Sequence, residues 1–423
     1  MAMKYTTRVL SSTLALAIAG LSGTATAAQI TGWNLDNVSI SGPDSEGVYY
    51  SNVYDRAPVD STASTNGYIK YDLVEGAEPG LKVVNDAPLE ASGNPVDNCI
   101  MAAGGATCNG PFQSGKRFKL DQTNAGAVDL VFDLSGEPFA EGNDGLYRVF
   151  QKYGNATDSL LSGFTMSLGF GIGDAFTQST AGDGLGFVDF GDDPRNSEFS
   201  SLFAQGLFGT DERRGRLTGY FSPDRSGFEL DLVSEDLFQT TGLFGGEYGY
   251  ESLFGDWMSY SMAPDGYFFD DDGDPLTDAV LMAHFNAESG QWIMNRGIDE
   301  TGEVVSLAFG NEGARYDSIA EVEAAIQSQA GDSGLSLAAC PEVPVAGVPC
   351  LAGTDVIEDL GKFNVTSFID AFSFDYADQS SFTLRIGALA AALPVSEPGV
   401  FVLLLMALGA LFGRRALPAR QRL

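Results

Sequence analysis

Short apolar runs separated by glycine recur along the whole central part of this chain. Glycine accounts for 52 of the 423 residues, and aromatic residues make up 11%. The run Ser381–Ile386 alternates strictly, with Phe382, Leu384 and Ile386 on one side and polar residues between them. A period of two is typical of a strand that buries one face, and glycine is typical of the turns between strands. The pattern predicts a fold built mainly from β-strands.

Other segments follow the same pattern. Further strands are expected at Val128–Leu134, Phe164–Ile172, Phe228–Val233 and Asn364–Tyr376. Two more, Asp278–Asn286 and Gln291–Met294, are joined through Glu288-Ser289-Gly290 and predict a hairpin.

One segment has the signature of a helix. Ser318 and Glu321 form a capping box, and Ile319, Val322 and Ile326 line one face before Gly331 ends the pattern. The predicted fold class is therefore mainly β: an antiparallel β-sandwich or jelly-roll-like ectodomain with one short helix insertion.

The amino terminus has the pattern of a secretory signal peptide. Lys4 and Arg8 precede an apolar run, which ends in small residues at Ala27 and Ala28. The run is shorter than the about 20 apolar residues that a spanning helix needs. We expect export through the Sec machinery and cleavage by signal peptidase after Ala27 or Ala28, so that residues 1–27 form the signal peptide.

The carboxyl terminus has a second targeting pattern. The uncharged apolar segment Gly399–Gly413 barely reaches across a bilayer, and Arg414 and Arg415 follow it. Positive residues favour the cytoplasmic side, which would leave everything before Pro398 on the far side. The tail predicts transient insertion into the inner membrane.

Val395-Ser396-Glu397-Pro398, the short span and the arginine cluster resemble the PEP-CTERM sorting signal of Gram-negative bacteria. The resemblance covers residues 393–423 and implies that an exosortase-like transpeptidase removes the tail. Glu397 and Pro398 occupy the core of the motif, whereas Ser396 stands where the family has its first proline, which bears on processing efficiency. Two alternatives remain: a sortase motif, approached at Leu393-Pro394 but without its Thr-Gly, and an anchor that is never cut.

The charge of the chain restricts its partners. Residues Ala28 to Glu397 contain 17 Lys and Arg against 57 Asp and Glu, a net charge of −40. Such a field repels nucleic acid and anionic membranes, so nucleic acid is excluded as a partner. With 44% hydrophobic residues the chain can still bury a core. We expect residues 28–392 to form an acidic β-rich ectodomain.

Four cysteines fall in two close pairs, Cys99 with Cys108 and Cys340 with Cys350. An exported chain places them in an oxidising compartment, which favours two local disulfides. Zinc binding would need a tighter Cys spacing or nearby histidines.

Phe199–Gly209 and Gly266–Pro275 resemble the bacterial choice-of-anchor F family. The resemblance extends over most of the ectodomain. It implies display at the cell surface or release, and it supplies no established catalytic residues.

The sequence predicts no cofactor, but one run of acidic residues could form a calcium site. Asp270, Asp272, Asp274 and Asp278 surround Gly273 and could supply the oxygen ligands that calcium prefers. The spacing is not that of an EF-hand, and a solvated acidic turn is the competing interpretation. Asp189, Asp192 and Asp193 form a second, lesser candidate.

Catalytic motifs are scarce. The single histidine, His284, excludes metal sites that use several histidines. The motif around Ser333 superficially resembles a serine-protease nucleophile, but it follows the expected helix as a C-terminal turn. A glycoside hydrolase needs only two carboxylates, and Trp33, Trp257 and Trp292 could stack on sugars or lie in the core.

The sequence thus predicts an exported surface or extracellular-matrix protein with a structural or interaction role, and no enzyme activity. A secreted carbohydrate-binding module or glycoside hydrolase on a β-sandwich is the alternative. Extracellular polysaccharide is then the candidate ligand.

Overall fold

Twenty-three β-strands and two α-helices make up the regular structure of the described chain. The structure is a computed structural model. It describes residues 29–74, 76–87, 97–104, 107–109, 114–137, 139–180, 183–189, 206–208, 219–221, 229–241, 250–274, 277–343, 345–371 and 379–391.

The elements are numbered in chain order. The strands are β1 Gln29–Trp33, β2 Val38–Ser41, β3 Val48–Tyr54, β4 Thr65–Asp72, β5 Gly76–Val84, β6 Asn98–Gly104, β7 Phe118–Gln122, β8 Val128–Ser135, β9 Leu146–Asn155, β10 Leu161–Phe170, β11 Thr177–Gln178, β12 Gly186–Phe187, β13 Glu229–Ser234, β14 Leu237–Thr241, β15 Asp265–Asp270, β16 Val280–Asn286, β17 Gln291–Met294, β18 Arg296–Ile298, β19 Val304–Ser306, β20 Ala314–Tyr316, β21 Cys350–Val356, β22 Lys362–Asp370 and β23 Ser381–Ala390. The helices are α1 Tyr250–Phe254 and α2 Ile319–Asp332, and short 3-10 turns occur at Ser114–Lys116, Gly173–Ala175, Tyr260–Met262, Gly310–Glu312 and Glu358–Gly361.

Two large sheets pack face to face as a β-sandwich. The seven-stranded sheet has the order β1-β8-β23-β10-β14-β13, with β11 beside β10. The nine-stranded sheet has the order β12-β22-β9-β7-β4-β3-β2, with β6 paired to β9 and β5 paired to β6. Alternate side chains from both sheets form one apolar core, in which Phe132 and Phe382 stack with ring centroids 5.3 Å apart. The predicted mainly β, sandwich-like fold class is confirmed.

Strand pairing is antiparallel at most places in the described chain. Two pairings differ, because β6 and β7 both run parallel to β9. They lie one after the other along one edge of β9, with β6 at its first half and β7 at its second half. Neither parallel pair was expected from the sequence.

The helix belongs to an insertion between β14 and β22. Here β20-β17-β16-β15-β21 form a five-stranded sheet, and α2 packs on one face of it through Val322, Ile326 and Ala330. The opposite face of the same sheet contributes Leu281 to the core of the sandwich. The insertion therefore packs against the sandwich through buried apolar side chains, which are stabilised by the hydrophobic effect.

The ends of α2 follow the expected capping pattern with two small differences. The Ser318 side chain accepts a hydrogen bond from the Glu321 amide. The Glu321 carboxylate accepts from the amide of Asp317, one residue before the position that a capping box predicts. At the other end the helix continues to Asp332, one residue beyond the expected end at Gly331.

The other strand predictions are confirmed in type, with shifted ends. The strand expected at Phe164–Ile172 begins at Leu161 and ends at Phe170, and the strand expected to reach Tyr376 ends at Asp370, beyond which residues 372–378 are outside the described chain. The predicted hairpin is present, with Asn286 opposite Gln291.

Both predicted targeting segments lie outside the described residues. These are the signal peptide with Ala27 and Ala28, and the tail that contains Glu397, Pro398 and Arg414. Within the described part of the chain, no helix combines the length and apolar character that crossing a membrane requires.

Candidate functional site

Both predicted disulfides are present. Cys99 at β6 is bonded to Cys108, and Cys340 is bonded to Cys350 at the start of β21. Each bond closes a short loop, with sequence separations of 9 and 10. The described cysteines therefore offer no thiol for metal binding or catalysis.

The predicted calcium ligands lie at the end of β15 and just after it, in the described residues 270–274 and 277–278, which we call the acidic turn. An Asp270 carboxylate oxygen accepts hydrogen bonds from the amides of Asp272 and Gly273, at 3.2 and 2.7 Å. Asp272 accepts from the Asp274 amide at 2.9 Å and from the Thr277 hydroxyl at 2.8 Å. These carboxylates thus satisfy the backbone of their own turn.

The acidic turn packs against the loop closed by Cys340 and Cys350. Gly273 adopts a φ of +61°, and a Cβ there would lie 2.2 Å from the carbonyl oxygen of Val345. The Gly347 amide donates to the Asp272 carbonyl at 2.5 Å. Only glycine fits this close approach, which accounts for the glycine within the run of acids.

The carboxylates that come together are not the predicted set. Asp270, Asp271 and Asp272 each offer an oxygen within 4.8 Å of the others. Asp274 and Asp278 are not part of that group. Calcium takes six to eight oxygens, so three carboxylates alone do not complete a shell. Calcium binding stays a prediction, as does the second candidate, of which Asp189 is described and Asp192 and Asp193 lie outside the described residues.

His284 is buried where the five-stranded sheet meets the sandwich. Its Nδ1 lies 3.0 Å from the Tyr220 hydroxyl, which donates to the Ile293 carbonyl at 2.7 Å. The imidazole also makes edge contacts with the rings of Tyr220 and Phe221. Burial, with a smaller contribution from Arg315, lowers the pKa of His284 to about 4. A neutral, enclosed imidazole of this kind has a packing role.

Ser333 and the three tryptophans also have structural roles. Ser333 caps α2, with its hydroxyl donating to the Ala330 carbonyl at 2.7 Å. Trp257 is fully buried and donates to the Gly361 carbonyl, and Trp33 and Trp292 are no more than 9% exposed. The interpretation of the tryptophans as core residues is confirmed, and none of them is placed to stack on a sugar.

Sequence reasoning missed a polar cluster on the outer face of the nine-stranded sheet. Asp121 is 2% exposed and lies 3.0 Å from the Lys70 ammonium. Tyr260, on a 3-10 turn of the insertion, donates to the other Asp121 oxygen at 2.5 Å. Burial, together with Asp121, raises the pKa of Tyr260 well above its usual value, so the phenol keeps its proton.

Three lysines lie in register beside this cluster, and we call them the lysine row (Lys70, Lys119 and Lys152). Lys70 on β4 is paired with Lys119 on β7, and Lys119 is paired with Lys152 on β9. Tyr50 on β3 continues the row at one end, and Asn364 on β22 continues it at the other. Neighbouring strands are about 4.8 Å apart, so the row crosses five strands at that spacing.

The lysine row could not be found from sequence alone. Each lysine stands between two buried residues, such as Phe118 and Leu120 around Lys119, and this alternation indicates an outward-facing position. Nothing in the sequence indicates which strands are neighbours or in what register. The row exists only because β7 lies parallel to β9 and antiparallel to β4.

Comparison with protein-family models, with curated proteins and with solved structures finds no match to this chain. The assignment of function therefore depends on the residues and their arrangement.

Proposed function

We propose that this chain is an exported protein of the cell surface or extracellular matrix of a Gram-negative bacterium, with a structural or interaction role. The observation that carries the proposal is the pair of local disulfides in the ectodomain. Stable disulfides of this kind belong to oxidising compartments, in agreement with the signal-peptide pattern before Ala28. The strongly acidic composition keeps such a domain soluble.

Sorting at the tail is part of the proposal. An exosortase-like enzyme recognises Glu397 and Pro398 while the apolar segment holds the chain in the inner membrane, and the ectodomain is then passed outward. Mass spectrometry of the protein recovered from cells and medium tests both ends. We expect an amino terminus at Ala28 or Gln29 and loss of Arg414 and Arg415.

Variants of the motif make this test sharper. Glu397→Ala should leave the tail attached, whereas Ser396→Pro, which restores the proline of the family motif, should be processed at least as completely as the natural chain. Retention of Arg414 and Arg415 in the natural chain would contradict processing and would favour an uncut anchor.

Carbohydrate binding is the second candidate, favoured by the row of Tyr50, lysines and Asn364 across one sheet face, on which Lys119 is exposed and the other members are half-buried. Hydrolysis receives less support. The tryptophans are buried, and Asp121 and Glu358 on this face each contact a lysine. Incubating the purified protein with polysaccharide and measuring new reducing ends distinguishes the two, because a binding module releases none.

A further inference from the structure

The lysines of this acidic protein are concentrated in one sheet. Between Ala28 and Glu397 there are six lysines, and all of them lie in the nine-stranded sheet or in the 3-10 turn that enters it. They are Lys70, Lys82, Lys116, Lys119, Lys152 and Lys362. Residues 28–397 carry a net charge of −40, and their few ammonium groups are gathered in one sheet.

Three of these lysines stand directly opposite one another in the lysine row. Like charges at directly opposed positions destabilise a sheet. The repulsion also extends to Lys362, whose pKa is lowered by burial and then by Lys152 and Lys70. Such an alignment of like charges becomes favourable against an anionic partner.

Internal acids compensate only the ends of the row. Asp121 pairs with Lys70, and Asp359 lies 2.7 Å from the Lys152 ammonium. Lys119, between them, is exposed and has no acid within ion-pair distance among the described residues. The centre of the row is therefore the place where an external anion would be stabilised.

We propose that the outer face of the nine-stranded sheet binds a carboxylate-bearing polysaccharide along the lysine row. The proposal rests on the proposed function, since it assumes an exported protein that meets such polymers. An extended sugar chain would lie across the strands, with carboxylates at the ammonium groups and with Asn364 able to donate to its hydroxyls. Tyr50 and Tyr68, whose rings meet edge to face at 5.0 Å, supply apolar surface at one end.

Charge density favours a polysaccharide over nucleic acid. Duplex DNA carries one charge per about 1.7 Å of axis, so a protein at −40 would repel it over its whole length. A polymer with one carboxylate per sugar carries less charge per unit length and suffers less repulsion. At physiological salt the Debye length is about 8 Å, which screens the rest of the protein more than it screens direct contacts.

The test is a binding measurement on the purified exported protein at physiological salt. The probes are polygalacturonate, a neutral dextran of similar length, and duplex DNA, with dissociation constants measured by calorimetry or affinity electrophoresis. We expect binding to polygalacturonate and no comparable binding to dextran or DNA. Absence of binding to polygalacturonate, or equal affinity for dextran or DNA, would overturn the proposal.

A pair of variants locates the surface. Lys119→Gln and Arg315→Gln each remove one exposed positive charge, but Arg315 lies on β20 of the insertion. We expect Lys119→Gln to weaken binding by about 1.5- to fivefold, the range for one exposed ion pair, while Arg315→Gln has no effect. Equal effects of the two would place binding elsewhere and refute the assignment. Thermal unfolding confirms that both variants are folded.

Failure of this test is distinguishable from failure of the proposed function. Binding is measured on purified protein and is independent of how the tail is processed. Export and tail removal are read by mass spectrometry and are independent of the lysine row.

Discussion

The acidic turn and the lysine row both place like charges together, but they do so in different ways. In the acidic turn the aspartates are consecutive in sequence, and Asp270 and Asp272 are satisfied by amides and a hydroxyl of the same turn. In the lysine row the charges come from three strands that are distant in sequence, and Lys119 has no such local partner. The aspartates that are evident in the sequence are thus hydrogen-bonded within their own turn. The lysines that only the fold brings together leave Lys119 exposed to solvent.

The largest expected effect comes from removing the buried anion of the cluster beside the row. Asp121→Asn should lower the free energy of unfolding by about 3 kcal/mol, because Lys70 and the Tyr260 hydroxyl lose their charged partner. It should also tighten polygalacturonate binding, because the row becomes more positive. Chemical denaturation and calorimetry measure the two quantities.

Asp359→Asn is the matched control for that substitution. The Asp359 side chain is 42% exposed, so its ion pair with Lys152 is screened by solvent, and its loss should cost less than about 1 kcal/mol. Equal losses for the two variants would show that burial does not distinguish Asp121, and the account of the cluster would be wrong.

The stability of the protein should depend on pH through His284, which lies in the same five-stranded sheet as the acidic turn. Its pKa of about 4 in the folded protein lies below the unfolded value near 6.5, so the unfolded chain binds the proton first as pH falls. The neutral imidazole therefore contributes about 3 kcal/mol to the free energy of unfolding. This contribution is complete above about pH 6.5 and is lost as pH approaches 4.

Because the chain has a single histidine, its imidazole signals in an NMR titration belong to His284 alone. Its NMR titration should have a midpoint near 4, and His284→Gln should flatten the stability profile between pH 4 and 6.5. A midpoint near the ordinary histidine value would mean that the imidazole is solvated and that the two layers are not packed as described.

A smaller effect than that of Asp121 or His284 is expected in the acidic turn itself. Asp272→Ala removes the acceptor for the Asp274 amide and the Thr277 hydroxyl and should cost about 1 kcal/mol. Asp272→Asn keeps an acceptor oxygen and should cost less. If calcium instead holds the turn, added calcium will raise the melting temperature of the natural protein, and both variants will lose that increase.

Local signals in the sequence predicted much of the fold. The alternation at Phe382 and Leu384 identified β23, the cap at Ser318 located α2, and the close cysteine spacing identified both disulfides. Each depends on residues within about ten positions of one another. Strand and helix patterns and short disulfide loops can therefore be predicted from a single sequence.

The candidate site could not be predicted in the same way. The parallel pairing of β7 with β9 brings Lys119 beside Lys152, and this depends on which strands meet after the whole sandwich has packed. The acidic turn shows the converse, because Asp271 joins Asp270 and Asp272 while Asp274 is not part of that group. Backbone geometry within the turn, and not the number of acids, decides which carboxylates meet.

The most direct test of the central claim is the salt dependence of polygalacturonate binding to the natural protein. Near 0.01 M salt the Debye length is about 30 Å, so the charge of the whole acidic protein opposes binding, whereas near 1 M it is about 3 Å and the lysine contacts are also screened. We predict that affinity is greatest near physiological salt and falls on either side. Affinity that does not change with salt would contradict an electrostatic surface at the lysine row.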